Sequence, residues 1–202
     1  MYCKIENGKI IHALNNQVDG YDYIALSLND YVKDPLRIKI IDNKPIDIIN
    51  TKEYQYAKTL DIFSNSLQQV ANKLSEDYQK ALDEKFECYD YKAKANFKTK
   101  YTKAYIACLD DIEESKEAIV NISIYNSENN LENMDMDFEN FKLIYRAVKE
   151  KAREIEKIYQ QGLAEISGIE NTLVSNSPEE LISLAPQIEQ SIDYLLKNNL
   201  FN

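Results

Sequence analysis

From Ile46 through Gln161 the chain contains neither glycine nor proline. These are the two residues that interrupt a helix most readily, one through backbone entropy and the other through its missing amide and its ring. A run of this length without them predicts long helices. It also excludes an architecture made of many tight turns, such as a β-sandwich or barrel. The whole chain of 202 residues holds only four Gly and four Pro, with no Trp and fifteen Tyr. A chain of this length can bury a core without disulfides or a structural metal.

Within the run, apolar residues recur with helical spacing. Asn50 followed by Glu53 resembles a capping box and marks the first helix start. Leu60, Phe63, Leu67, Val70 and Leu74 then alternate at spacings of three and four, and Tyr78, Ala81 and Leu82 continue the stripe. The pattern continues less cleanly through Phe86, Tyr89, Phe97, Tyr101, Tyr105 and Leu109 to Ile112, with a break near Asp90 that lets the chain fold back. The segment from Asn121 to Asn126 alternates and fits either a lone strand or a helix end, and residues 126–134 read as a loop. Asp137 is placed to cap a second long helix carrying Tyr145, Val148, Ala152, Ile155 and Tyr159 at heptad spacing, ending near Gly162 or Gly168. Ser177-Pro178-Glu179-Glu180 is a complete helix start, and Pro186 ends or kinks the helix that it opens.

The first fifty residues read differently. Tyr2–Ile5 and Lys9–Leu14 flank Glu6-Asn7-Gly8, and Arg37–Ile41 and Ile46–Ile49 flank Asp42-Asn43-Lys44-Pro45, so two hairpins are expected. An apolar run at Ile24–Leu28 suggests a fifth strand. The expected class is α+β, mainly α: a small N-terminal antiparallel sheet over residues 1–50, then an elongated helical bundle with coiled-coil-like seams over 51–202. Its helices are expected at about 51–89, 92–120, 137–161, 178–185 and 186–198.

Charge is unevenly distributed. The net charge of −10 disfavours general binding to nucleic acid or anionic membranes. Residues 105–140 carry ten acids against Lys116 alone, whereas Lys92, Lys94, Lys98, Lys100 and Lys103 form a basic run without an acid among them. Interleaved with Phe97 and Tyr101, that run is a candidate stacking surface for single-stranded nucleic acid, or the solvated partner of an acidic helix.

Candidate chemistry is sparse. His12 is the only histidine, without a nucleophile-elbow motif around it, and reads as a surface or core residue. Cys3, Cys88 and Cys108 are odd in number and lack C-x-x-C spacing, so they read as free thiols packed as small hydrophobes in a reducing compartment. Asp135-x-Asp137-x-Glu139 alternates like a calcium loop but lacks the glycine and the terminal glutamate such a loop needs. The pairs Asp110-Asp111 and Glu113-Glu114 fall on a polar helix face. There is no phosphate-cradling glycine loop. The expectation is therefore a protein that is no enzyme and takes no cofactor, metal or small-molecule substrate. The opening Met-Tyr-Cys-Lys-Ile-Glu-Asn-Gly reads as no signal peptide and no apolar stretch is long enough to span a membrane, so a cytoplasmic protein is expected.

The stretch Asn133-Met-Asp-Met-Asp-Phe-Glu-Asn-Phe-Lys-Leu-Ile-Tyr-Arg-Ala-Val leads into a long helix with Ile158-Tyr159 and Ala164-Glu-Ile166, followed by Ser177-Pro-Glu-Glu-Leu-Ile182. Over residues 80–185 this resembles the C-terminal helical domain of uncharacterised function found in phage and prophage tail proteins. In layout the chain is similar to proteins encoded beside tail-fibre genes, some of which assist fibre assembly. The resemblance implies a tail-associated protein, structural or assisting assembly, acting on a tail fibre, on another tail component or on its own copies. It implies a location in the host cell during assembly or in the virion, while the net charge and the lack of a long apolar run lead to the expectation of no nucleic-acid or membrane partner. The residues expected to carry those contacts are the two seams, Leu60, Phe63, Leu67, Val70, Leu74 and Tyr145, Val148, Ala152, Ile155, Tyr159. From charge alone, a rival reading is a small acidic inhibitor that mimics nucleic acid and blocks a host defence nuclease. A weaker one is a nucleic-acid module using the basic run.

Overall fold

Asn7 takes a φ of +52°, a left-handed conformation that its short polar side chain tolerates, and there β1 (Tyr2–Glu6) turns into antiparallel β2 (Lys9–Leu14). The short β3 (Asp22–Tyr23) pairs with the other edge of β1. A second hairpin joins β4 (Ile38–Ile41) to β5 (Lys44–Asp47) through Asp42 and Asn43, both at positive φ, as a two-residue turn of matching twist requires. The first hairpin lies where its turn residues predict; in the second, Lys44 and Pro45, expected in the turn, open β5, which ends at Asp47. The run Ile24–Leu28 is not a strand. Ile24 donates its amide to the Met1 carbonyl at 2.9 Å and is fully buried, and Leu28 opens a short helix, α1 (Leu28–Lys33), followed by a 3-10 turn at Pro35–Arg37. One and a half turns are too few to show a period in the sequence.

In this computed structural model the described residues are 1–7, 9–90, 95–100, 103–125, 128 and 130–201, with side chains described except at 85–90, 95–100 and 125. The chain is an α+β protein, mainly helical, with small antiparallel sheets at the N-terminus followed by long helices. The first of these, α2 (Lys52–Asp83), is capped by Thr51 rather than Asn50. The Thr51 hydroxyl oxygen accepts the Tyr54 amide at 3.2 Å, and Glu53, free of any capping role, takes Lys39 Nζ at 2.9 Å.

The segment after α2 departs most from the helical expectation. The helices expected at about 51–89 and 92–120 give way at Asp83 to β6 (Lys85–Asp90), β7 (Ala95–Lys100), α3 (Lys103–Ser115), β8 (Ile119–Tyr125) and β9 (Leu131–Asp137). These strands form one antiparallel sheet in the order β6-β7-β8-β9. The physical reason lies in the period: Lys-Phe-Glu-Cys-Tyr-Asp, Ala-Asn-Phe-Lys-Thr-Lys and Ile-Val-Asn-Ile-Ser-Ile-Tyr alternate with period two and are rich in aromatic or β-branched residues. The lack of Gly and Pro that favours helices is equally permissive for strands. The chain does reverse near Asp90, but from strand to strand, and residues 131–134 of the expected 126–134 loop belong to β9.

Two more helix boundaries are corrected. The last strand runs straight into α4 (Phe138–Ser175), capped by Asp137 Oδ1, which accepts the Asn140 amide at 3.0 Å. This helix continues through Gly162 and Gly168. Gly162 is there for close approach, because a Cβ would lie 2.9 Å from both Leu74 methyls. Finally α5 (Pro178–Lys197) is one helix with Pro186 inside it, not two. Its start is the reciprocal cap expected: Ser177 N–H donates to Glu180 at 2.9 Å and Glu180 N–H to Ser177 at 3.4 Å. Leu181, Ile188, Ile192 and Leu195 are buried on both sides of the proline, and that burial outweighs one lost hydrogen bond.

The chain divides into two compact units, residues 1–67 with 169–191 and residues 68–168 with 192–202, so α2, α4 and α5 each contribute to both. Residue 50, where the sequence separates sheet from helices, lies inside the first unit. In the first unit Met1, Cys3, Ile24 and Ile40 form a small core flanked by Ile10, Leu26, Leu28, Tyr31 and Ile38. In the second, Tyr78, Ala81 and Leu82 of α2, Leu109 of α3, Val120, Ile122 and Ile124 of β8, Met136 of β9, and Phe141, Ile144, Val148 and Ile155 of α4 form the larger one. No helix among the described residues is long and apolar enough to cross a membrane.

Candidate functional site

The two heptad seams are interior to the chain. Phe63, Leu67, Val70 and Leu74 are buried, with Leu60 half-buried, along α2. Val148 and Ile155 are buried in the second unit's core, and Tyr145 and Tyr159 pack against it from the side; Ala152 is half-buried. Residues buried this way are helix-packing residues, and they offer little surface to another molecule.

Of the basic run, Lys103 alone has a described side chain. It is exposed and holds its ammonium 5.6 Å above the Tyr78 ring. Lys98 and Lys100 lie on β7, with Lys98 opposite Tyr125 of β8. Their side chains, together with Lys92 and Lys94, lie outside the described residues, as does the side chain of Cys88. Cys3 is buried and its thiol is pushed up by burial, but Cys108 is exposed, which corrects the reading of every thiol as a core residue. His12 is exposed and its Nδ1 lies 2.7 Å from the Tyr21 hydroxyl.

The structure adds two polar ties that no motif in the sequence assembles. Tyr78 on α2 stacks on Tyr159 at 4.3 Å between centroids and donates its hydroxyl to Glu156 at 2.6 Å; Gln160 donates to the same carboxylate at 2.9 Å. On the other flank Asp110 of α3 accepts from the Tyr145 hydroxyl at 2.7 Å and from Lys149 Nζ at 2.9 Å. Asp110, which the sequence placed on a plain polar face, therefore joins α3 to α4. A half-buried Tyr in a seam needs a partner for its hydroxyl, and that was the available signal.

These contacts set the electrostatics. Burial first, and then the Glu156 hydrogen bond, push the Tyr78 phenol up to about 12; the Asp110 hydrogen bond and then burial do the same for Tyr145, also to about 12. Asp110 is held below its ordinary range by the Tyr145 hydrogen bond and then by Lys149, and Glu156 by Tyr78 and then Gln160. Neutral phenols donate to ionised carboxylates throughout the neutral range. The arrangement suits fixed hydrogen bonds and does not poise a proton for transfer near pH 7.

The outer face of β8 and β9 is polar at its middle and carries exposed Ile119 and Leu131 at its ends. Asn121 donates to Asp135 at 2.5 Å and Ser123 to Asn133 at 2.7 Å across the paired strands, while Val120, Ile122 and Ile124 point into the core. With Glu132 on β9 and Asp111 and Glu114 on α3 also exposed, the acidic 105–140 segment is largely presented to solvent. In the first unit, Asp34 accepts from the Tyr54 hydroxyl at 2.6 Å, and its buried Oδ1 has Lys58 Nζ at 4.0 Å. Among the described residues no three His, Cys, Asp or Glu side chains come together as metal ligands would; Asp135, Asp137 and Glu139 are spread along β9 and the start of α4.

Comparison of the chain with family models, with characterised proteins and with solved structures finds no match.

Proposed function

We propose that the chain is a phage or prophage tail-associated protein, structural or assisting tail-fibre assembly, that acts by protein contacts without chemistry of its own. The observation that carries this reading is where the polar chemistry is spent. The two phenols pushed up to about 12, Tyr78 and Tyr145, donate to Glu156 and Asp110 and tie helices to each other. Such groups more often mark catalytic clefts, and here they serve as staples. The resemblance of 133–148, and of the helices after it, to tail proteins supports the same reading. The partner is a tail fibre or another tail component, met in the host cell during assembly or in the virion. Co-purification from cells expressing neighbouring tail genes tests it: a stoichiometric fibre or tail component is expected, and a preparation that retains none overturns it.

A second reading is favoured by one observation, the number of exposed acids in this segment: Asp135 on the outer face of β8–β9, Glu132 on β9, and Asp111 and Glu114 on α3. Rows of carboxylate can stand in for phosphate, and the chain would then block a host nuclease. A host nuclease retained in the same experiment would favour that reading.

A further inference from the structure

We infer that the α3/α4 face of the second unit is a self-association surface, on which a second copy of the chain docks about a two-fold axis. On α4 the bases Lys142, Arg146, Lys149, Arg153 and Lys157 recur at spacings of four, three, four and four. At 100° per residue they occupy a stripe about 80° wide, and at 1.5 Å per residue it is about 22 Å long. Two of the five are already paired within the chain, Lys142 with Glu139 at 2.7 Å and Lys149 with Asp110 at 2.9 Å. Arg146, Arg153 and Lys157 are exposed and have no ion pair among the described residues.

What lies beside the stripe identifies the occupant. α3 runs antiparallel to it: Asp110 reaches Tyr145 and Lys149, Glu113 acts on the Tyr145 hydroxyl, and at the other end of α3 Lys103 acts on Glu156. The face is therefore graded along its length. One end carries Glu113 and Glu114 of α3 with Arg146 and the Glu139–Lys142 pair of α4, and the other carries Lys103, Arg153 and Lys157 beside Glu150 and Glu156, so that the first end is the more acidic. A uniform polyanion or polycation laid along it would be attracted at one end and repelled at the other. A second copy related by a two-fold axis perpendicular to α4 instead lays each acidic end on the other's basic end. This is the self-complementary arrangement that a two-fold interface requires. Leu143, 43% exposed near the acidic end, adds apolar area to the same region.

This inference goes beyond the tail-protein reading, which assigns contact between copies to no exposed surface and no symmetry, and it is tested on the isolated protein. Because the contacts are exposed ion pairs, the association should be weak and sensitive to salt. Sedimentation velocity of the full chain should show dimer at about 100 µM in low salt and monomer in about 0.5 M salt, where the Debye length falls to roughly 4 Å. Two charge-reversed proteins make the test specific: Arg146→Glu with Arg153→Glu and Lys157→Glu, and separately Glu113→Lys with Glu114→Lys. Each should be monomeric alone, and an equimolar mixture should restore the dimer, because one face is then predominantly acidic and the other predominantly basic. Monomeric wild-type protein throughout the low-salt series overturns the inference. So does a dimer that survives either reversal, or a mixture of folded variants that stays monomeric. If one variant does not fold, the wild-type salt series and the other variant still decide the question.

Discussion

Two antiparallel systems in this chain share the same hairpin grammar and bury very different amounts of apolar surface. In the N-terminal sheets Met1, Cys3, Ile24 and Ile40 are enclosed, while Ile11, Tyr23, Val32 and Ile41 stand largely in solvent. In the β6–β9 sheet, Val120, Ile122 and Ile124 line one face of β8, and Phe141, Ile144 and Val148 of α4 belong to the same core. A hairpin on its own is marginal in water. Long amphipathic helices share the core of one system, and the N-terminal strands have no comparable apolar wall within their own cluster. Fully burying a large aliphatic side chain contributes about 1.5–3 kcal/mol, so the difference in enclosed residues implies a gradient of local stability along the chain.

Substitutions can break or sharpen that contrast. Phe141→Ala, at a fully buried position in the second unit's core, should cost about 3–5 kcal/mol in denaturant titration. Ile24→Ala is equally buried, but its neighbours are fewer and can relax, so it should cost about 2–3 kcal/mol and act mainly on the N-terminal sheets. Equal losses that are equally global would remove the gradient. The two glycines of α4 should separate next. Gly162→Ala forces a Cβ against Leu74 and should cost about 1–3 kcal/mol, whereas Gly168→Ala meets nothing within 4 Å and should gain up to about 1 kcal/mol in thermal or chemical unfolding. Ser177→Ala removes the hydroxyl from the α5 cap and should cost about 1 kcal/mol.

The smallest effect expected is on titration. Tyr78 and Tyr145 have folded values raised to about 12 from an ordinary value near 10, so their contribution is complete below pH about 10 and is lost as pH rises towards about 12. Asp110 and Glu156 are lowered, so their contribution is present above the ordinary carboxylate range and is lost as pH falls through the lowered folded values. With no Trp in the chain, tyrosinate absorbance can be followed directly. Tyr78 and Tyr145 should ionise late, and Tyr78→Phe and Tyr145→Phe should each remove one late-ionising phenol.

The same contrast shows how much was legible in the residues. The Asn7 turn, the Asp137 and Ser177 caps and the buried stripe from Phe63 to Leu74 follow from local chemistry that needs no tertiary partner. The strands from Lys85 to Asp137 are hidden because aromatic residues at 86, 89, 97 and 101 also fit a loose three-and-four spacing, and the absence of Gly and Pro suits helix and strand alike. Gly162 and Pro186 look like terminators, yet the first makes room for Leu74 and the second is overridden by burial on both sides. Of the surface features, the ordering of charge on α4 is visible as a block of bases, but its meaning depends on α3 lying antiparallel beside it. No local pattern in α3 specifies that arrangement.

The gradient between the two systems is tested most directly by amide hydrogen exchange of the wild-type chain at neutral pH. Slowest exchange is expected in β8 and in the α4 turns around Ile144 and Val148, with β1, β2, β4 and β5 exchanging at least about tenfold faster. N-terminal hairpins as strongly protected as β8 would contradict the account, because their protection would then have to come from packing that their small core does not provide.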